Sequence, residues 1–432
     1  MLSVTCRRMR LRASAAIVCA ALAIIVAGCG GGSKKHSSTT GSSAKTTAAS
    51  TPSAKTSTSS SSGGAGQTAS SLGFPRVATR NTTRVPGASA VADAAGVALA
   101  VYPSAAPGTH PTVVTVAPTD DWEAALASSV LMAPPIHAPV LLSGSDSMPA
   151  ATTDALKLLA PTGSGDLSGA QVVLVGDVPK PPGLRAATIG GSDPYSAAAE
   201  IDRFATAADG GRASPDVVVA SSSDPAYAMP AAGWAAESGD PLLFVTPETI
   251  PKPTIQALQA HQKPRIYVVG PPSVVSASVL KQLGRYGTVK RIFGDDPASN
   301  SVAFTIYRDP PCTKYGQACA PVPGSFGWAT RGPGHGYTLL NASQPLTAAA
   351  SAALSGSGDY GPQLVVDNGS TLSKPVLNYF LNYAAPGYYA QQGPTASVYD
   401  HAWIIGDERV LSVAAQAEVD AVLQAIPTTT SK

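Results

Sequence analysis

Three tetrapeptides, Arg84-Val85-Pro86-Gly87, Thr188-Ile189-Gly190-Gly191 and Arg291-Ile292-Phe293-Gly294, place glycines at 87, 191 and 294, spacings of 104 and 103 residues. Each is followed by an Ala-rich stretch and then by a Pro that opens an apolar run: Pro139-Val140-Leu141-Leu142, Pro241-Leu242-Leu243-Phe244 and Pro362-Gln363-Leu364-Val365. Each period then reaches an apolar run closed by Gly: Val172 to Gly176, Ile266 to Gly270 and Ala402 to Gly406. A period this long is a whole small α/β domain rather than one turn of a solenoid. Three copies of one unit more often build a binding surface than a single catalytic centre.

The first period predicts a helix over Ser89–Tyr102 and a β-branched strand over Thr112–Val116. Asp120 and Asp121 then open a helix from Trp122 to Met132, where acids suit the positive end of the dipole. A strand over Pro139–Leu142, a helix from Met148-Pro149 to Leu159 and a strand over Val172–Val175 complete it. Strand, helix, strand, helix, strand implies a parallel sheet with crossover helices. The second period repeats the order: helix Asp193–Ala205, strand Val217–Val219, helix Pro225–Ala236, strand Leu242–Val245, helix Thr254–Gln259, strand Ile266–Val269 and helix Ser273–Leu283. The third carries insertions near 308–334 and 381–400.

The net charge of +2 conceals two unlike parts. Residues 1–72 hold eight Lys/Arg and no acid, which leaves 21 basic against 27 acidic residues in 73–432, a balance of −6. A mildly acidic body argues against nucleic acid, whose affinity comes from Lys/Arg neutralising phosphates. Arg7, Arg8, Arg10 and Arg12 precede an apolar stretch from Ala15 to Val26, the pattern of an export signal. The stretch ends in Val26-Ala27-Gly28-Cys29, which resembles the bacterial lipobox; the resemblance implies cleavage over 1–29 and a lipid such as palmitate on Cys29. Residues 30–72 are nearly all Gly, Ser, Thr, Ala and Lys and read as a disordered tether spanning about 35 Å root-mean-square. Cys312 and Cys319 remain in the body, and in an exported chain such a pair points to a disulfide closing a small loop, with two free thiols as the alternative.

The combined pattern resembles the bacterial cell wall-binding repeat 2 family over about 79–425. It carries Arg-Ile-x-Gly, an Ala-rich helix, a strand leading to Asp/Pro at a helix start, a Pro-Ile-Leu-Leu-like strand and a final Val-Val-Gly strand. The resemblance implies three tandem Rossmann- or toprim-like α/β repeats around a pseudo-threefold axis, over 73–186, 187–288 and 289–428. It also implies non-covalent attachment to an anionic cell-wall polymer or peptidoglycan-associated glycan, with no cofactor. The polymer-binding segment of the family falls on Pro139, Val140, Leu141 and Leu142, on Pro241, Leu242 and Leu243, and on Pro362. Its Gly-x-Asp-Arg-Tyr run appears as Gly191-Ser192-Asp193-Pro194-Tyr195 and Gly294-Asp295-Asp296-Pro297; Gly87-Ala88-Ser89-Ala90 has neither Asp nor Arg.

No catalytic constellation stands out. There is no Gly-x-Ser-x-Gly elbow, and Gly332-Pro333-Gly334-His335-Gly336 lacks the Lys-Ser/Thr of a phosphate loop. His110, His137, His261, His335 and His401 show no metal-ligand spacing. The expectation is a non-enzymatic, lipid-anchored protein on the outer face of the cytoplasmic membrane, reaching into the wall. The alternative is a solute-binding lipoprotein of a transporter.

Overall fold

The computed structural model describes residues 77–424 apart from 312–323, 333, 359–360, 386, 389–396 and 399. Residues 1–76, and with them Cys29, lie outside the described residues, as do Cys312 and Cys319. The chain enters through β1 (Val77–Ala78) and β2 (Thr82–Val85), followed by α1 (Ala90–Val101). The first unit then runs β3 (Val114–Pro118), α2 (Trp122–Ala127), β4 (Val140–Ser143), α3 (Ala150–Leu159), β5 (Val172–Val175) and β6 (Ala186–Ile189). Next come α4 (Pro194–Ala208), β7 (Asp216–Ser221), α5 (Pro225–Ser238), β8 (Leu242–Val245), α6 (Lys252–Ala260), β9 (Arg265–Val269), α7 (Ala277–Leu283) and β10 (Thr288–Ile292). The last stretch is α8 (Pro297–Ile306), β11 (Gly336–Asn341), α9 (Leu346–Ser355), β12 (Gln363–Val366), α10 (Lys374–Asn382), the short pair β13 (Gly387–Tyr388) and β14 (Ser397–Val398), β15 (His401–Ile405) and α11 (Val413–Gln424).

Three sheets result, ordered β4-β3-β5-β6, β8-β7-β9-β10 and β12-β11-β15-β2-β1. Every pairing in them is parallel except that of β1 with β2. The glycine-bearing tetrapeptides that mark the sequence period turn out to be strands, β2, β6 and β10 in part, and each joins the sheet formed by the residues of the preceding period. The repeat limits at 187 and 289 therefore fall inside β6 and β10. At the N-terminus the same rule sends β2 to the third sheet, where Thr82–Val85 pair with Ala402–Ile405. Each sheet thus combines two sequence periods, and β2 near the start of the body meets β15 near its end.

After each of these strands the chain crosses to the next unit. Helix α1 packs on both α9 and α3, α4 on both α2 and α6, and α8 on both α5 and α10. The middle is filled by α2 with its 3-10 continuation (Ser128–Met132), α5 and α9, which pack on one another. These segments are Ala-rich, as in Leu346-Thr347-Ala348-Ala349-Ala350-Ser351-Ala352-Ala353-Leu354-Ser355, whose last nine residues are all buried. Small side chains let three helix backbones approach, and a helix apolar on all sides is one that is buried on all sides.

Several expected elements differ in their limits. The first strand runs Val114–Pro118 rather than Thr112–Val116. The helix predicted through Met132 stops at Ala127 and tightens into a 3-10 turn, where Ser128 Oγ bonds back to the Ala124 carbonyl at 2.7 Å. The helix expected from Ser273 starts at Ala277, because Pro271-Pro272 opens a turn and Ser276 caps the true N-terminus through the Val279 amide. The insertion near 308–334 is anchored at its base. Asp309 and Phe326 exchange two backbone bonds of 2.9 Å, and the Phe326 ring stacks 3.5 Å from Tyr267.

Candidate functional site

A parallel sheet gathers loop chemistry at the carboxyl ends of its strands, and here that end occurs three times. The third strand of each sheet stops at a glycine with positive φ: Gly176 (67°), Gly270 (117°) and Gly406 (104°). The three amides donate to the fourth strands, at Ile189 (2.9 Å), Ile292 (3.0 Å) and Val85 (2.9 Å). A side chain at these positions would be strained, which accounts for the recurring strand-ending Gly. The tetrapeptide glycines have a different reason. A methyl group on Gly87, Gly191 or Gly294 would overlap Asp93, Ala197 or the Ser299–Asn300 backbone, so the strand-to-helix turn lies directly on the helix.

The motif arginines serve the same turns. Arg291 donates to the carbonyls of Gly270 (2.7 Å) and Val275 (2.6 Å). Arg84, with 1% of its surface exposed, donates to Gly406 O (2.8 Å), Gln416 Oε1 (3.0 Å) and Ser412 O (3.4 Å). The aspartates of the Gly-x-Asp run are helix caps: Asp193 and Asp296 each close a capping box with Pro at the first helical position. Ser89 takes that place in α1, and Asp121 and Asp224 cap α2 and α5.

The segments Pro139–Leu142, Pro241–Leu243 and Pro362 lead into or form the edge strands β4, β8 and β12. Pro139, Val140, Leu141, Leu142, Pro241, Leu242, Leu243 and Pro362 are all buried. Their cover is a helix from the neighbouring unit: α9 over β4, α2 over β8 and α5 over β12. Trp122 of α2, for example, meets Phe244 edge-on at 5.4 Å. Gln363 stands in β12 where the other units have an aliphatic residue, and its amide spans the seam. It accepts from Gly233 N (3.1 Å) in α5 and donates to Ala348 O (2.8 Å) in α9. The structure therefore brings the three segments into equivalent inter-unit seams, with their side chains inside.

Two surface hollows stand out among the described residues. One, about 540 Å³, lies beside the outer edge of β6 and is lined by Lys180, Arg185, Ala187 and Phe204. The other, about 500 Å³, lies between the first and second units, with Pro134, Pro135 and Ile136 facing Asp202, Arg212 and Pro241. Under its wall His261 Nε2 sits 2.9 and 3.1 Å from the Asp202 carboxylate, while Nδ1 is 2.8 Å from Ser214 O. Burial disfavours the imidazolium, but the bonds to Asp202, its charge and the Ser214 carbonyl together hold the His261 pKa above its ordinary value.

Burial also raises several carboxyl groups, most of all Glu123 to about 7, Asp93 to about 8, and Asp240 and Asp400 to about 6. They are spread over different units. Asp240 accepts from Ser214 Oγ (2.6 Å) and Trp234 Nε1 (2.7 Å), and Asp400 accepts from the amides of Gly334 and His335. Among the described residues no three His, Cys, Asp or Glu are placed to hold a metal ion, and no helix is long and apolar enough to cross a membrane. The inward role of Arg84 and Gln363 was missed in the sequence, which places one in the repeated tetrapeptide and the other in an apolar run but names no partner for either.

Residues 188–280 match the family model of cell wall binding domain 2 (CWB2). The match begins within β6 and ends within α7. No curated protein gives a significant match. Among solved structures, the fold is similar to Cwp6 from Clostridium difficile, with TM-score 0.60 and 14% identity over 80% of this chain. It is also similar to Cwp8 from Clostridium difficile, with TM-score 0.56 and 18% identity over 80% of this chain. The chain spans about half the length of these two, 48% and 52%. Residues 188–280 are thus similar to cell wall binding domain 2 and lie within a body of three parallel-sheet α/β units.

Proposed function

We propose that this chain is a non-enzymatic surface protein that holds a cell-wall polymer non-covalently, and that Cys29 carries a lipid anchoring it to the membrane. The observation that carries the polymer reading is the CWB2 match over one sequence period in a body where the same sheet order occurs three times. The Pro139–Leu142, Pro241–Leu243 and Pro362 segments act indirectly in this reading. Buried side chains cannot touch a polymer, so they hold the edge strands in the seams while neighbouring surface residues make contact. The hollow lined by Lys180 and Arg185 offers two cations to an anionic polymer, local charge that matters in a body with a balance of −6.

Incubation of residues 73–432 with purified wall sacculi, intact or stripped of secondary polymers, tests this directly. Retention on intact sacculi and loss after stripping is expected; no retention on either overturns the polymer reading. Separately, Cys29→Ala in the full chain is expected to release the protein from the membrane fraction, and unchanged membrane retention overturns the anchor.

A further inference from the structure

In the first and second sheets the fourth strand follows the third along the chain, β6 after β5 and β10 after β9, so those passages are covalent. The third is not. Strand β2 reaches β15 only through non-covalent contacts with residues more than 300 positions later. Gly406 N donates to Val85 O (2.9 Å), Asp407 N to Gly87 O (3.1 Å) and Ala402 N to Asn81 O (2.9 Å). Helix α11 clamps the same strand. Gln416 takes Arg84 and gives its amide to Thr82 Oγ1 (3.0 Å), and Asp420 accepts from Thr79 and Asn81. All residues before Val77 join the body through this strand.

The non-covalent passage also differs in one side chain. Six residues after the tetrapeptide glycine, the units carry Asp93, Ala197 and Asn300. Asn300 Oδ1 accepts weakly from Gly294 N at 3.4 Å, and Asp93 Oδ1 accepts from Gly87 N at 2.8 Å. A carboxyl group therefore occupies a site where an amide or a methyl suffices elsewhere, and it is 1% exposed. The charged groups facing it are Asp407, from the loop after β15, and Arg84, from β2. Every bond of Arg84 given above goes to a carbonyl or amide oxygen, none to a carboxylate. Helix α9, which packs on α1, contains no ionisable residue.

We propose that β2 is a releasable latch closing the three-unit ring, and that the protonation of Asp93 controls it. With the carboxyl neutral, Asp93 bonds the Gly87 turn and the seam is closed. Ionised, it places an unpaired charge in a dry site beside Asp407, and the opposing Arg84 is already committed to the loop carbonyls. Burial is the main cause that lifts this carboxyl, with Asp407 adding to it against the Gly87 and Gly406 amides and Arg84. Because the folded pKa is raised, closure is strongest below the ordinary carboxyl value of 3.8, weakens as pH rises above it, and has lost this contribution once pH passes about 8.

Hydrogen exchange on the full chain at pH 6 and pH 9, corrected for intrinsic rates, reads the latch. Peptides covering Gly406 report the seam, and those covering Gly176 and Gly270 report the covalent passages. Protection at Gly406, relative to the other two, is expected to fall by up to about tenfold per pH unit between the ordinary carboxyl value of 3.8 and the raised one of about 8, and to level off above it. Asp93→Asn, copying Asn300, is expected to abolish that difference while keeping the seam protected. Asp93→Ala, copying Ala197, removes the titration in the same way and serves if the amide disturbs folding. Equal pH dependence at all three glycines in the wild type, or persistence of the difference in either variant, overturns the proposal.

Discussion

Replacing Asp202 by Ala is the most informative single test of how the second unit is held together. Both ring nitrogens of His261 face acceptors, Ser214 O and the Asp202 carboxylate, so the ring is fully bonded only as an imidazolium. The side chains are 1% and 7% exposed, which excludes the discount that water imposes on surface pairs. Removing one partner of a buried pair costs about 3–5 kcal/mol when the other charge is stranded. Here the ring can shed its proton, so the lower end, about 3 kcal/mol, applies near pH 6. The sign with pH is fixed by the raised histidine pKa. The contribution is complete below the unfolded value of 6.5 and fades as pH rises through the folded one. Urea denaturation of wild type and Asp202→Ala at pH 5.5, 7 and 9 should show the gap narrowing with pH. A gap under about 0.5 kcal/mol at pH 5.5, within the range of ordinary surface substitutions, or a gap that widens toward pH 9, would refute the reasoning. Asp202→Asn, which keeps a bond but not a charge, should lie between the two and lose most of the pH dependence.

Gly191→Ala should destabilise by about 1–3 kcal/mol through overlap with the Ala197 backbone, whereas Gly190→Ala, with open space around it, should be neutral; thermal melts of the two neighbours settle it. Arg291→Met should cost about 2 kcal/mol by leaving the Gly270 and Val275 carbonyls without their charged donor, read by urea denaturation. Gln363→Leu, restoring an aliphatic residue to β12, should be destabilising rather than neutral, since Gly233 N and Ala348 O lose their partner inside the seam. Intact-mass measurement with and without reductant, after thiol alkylation, should show Cys312 and Cys319 unreactive until reduced.

Much of the element order was legible because each unit punctuates itself. The strand over Val172–Val175, the helix ending at Leu159 and the strand Leu242–Val245 stand where their apolar runs stop. The strand-ending glycines were visible as spacing, though only the positive φ explains them. What the sequence hid was partnership. Ala186-Ala187-Thr188-Ile189 and Thr288-Val289-Lys290-Arg291-Ile292 are too polar on one side to read as strands, since each is an outer edge with little to cover it. No periodicity states which sheet a strand joins, so the transfer of β2 to the third unit is a property of packing alone. Asp93 sits inside Ala90-Val91-Ala92-Asp93-Ala94 and looks like an ordinary first-turn acid. The candidate polymer segments had the composition of core, and core is where they are.

The offset between sequence period and sheet also dictates an order of assembly. Thr82–Val85, near the start of the body, belongs to a sheet whose central members are among the last to appear, its partner Ala402–Ile405 lying some 320 residues downstream by the register Thr82 to Ala402. Until that partner arrives, nothing joins Thr82–Val85 to β11 and the rest of the third sheet. Such a chain cannot mature unit by unit from its N-terminus as ordinary tandem domains do. Closure of so distant a contact is slow, so the body stays open until nearly all of it has been made.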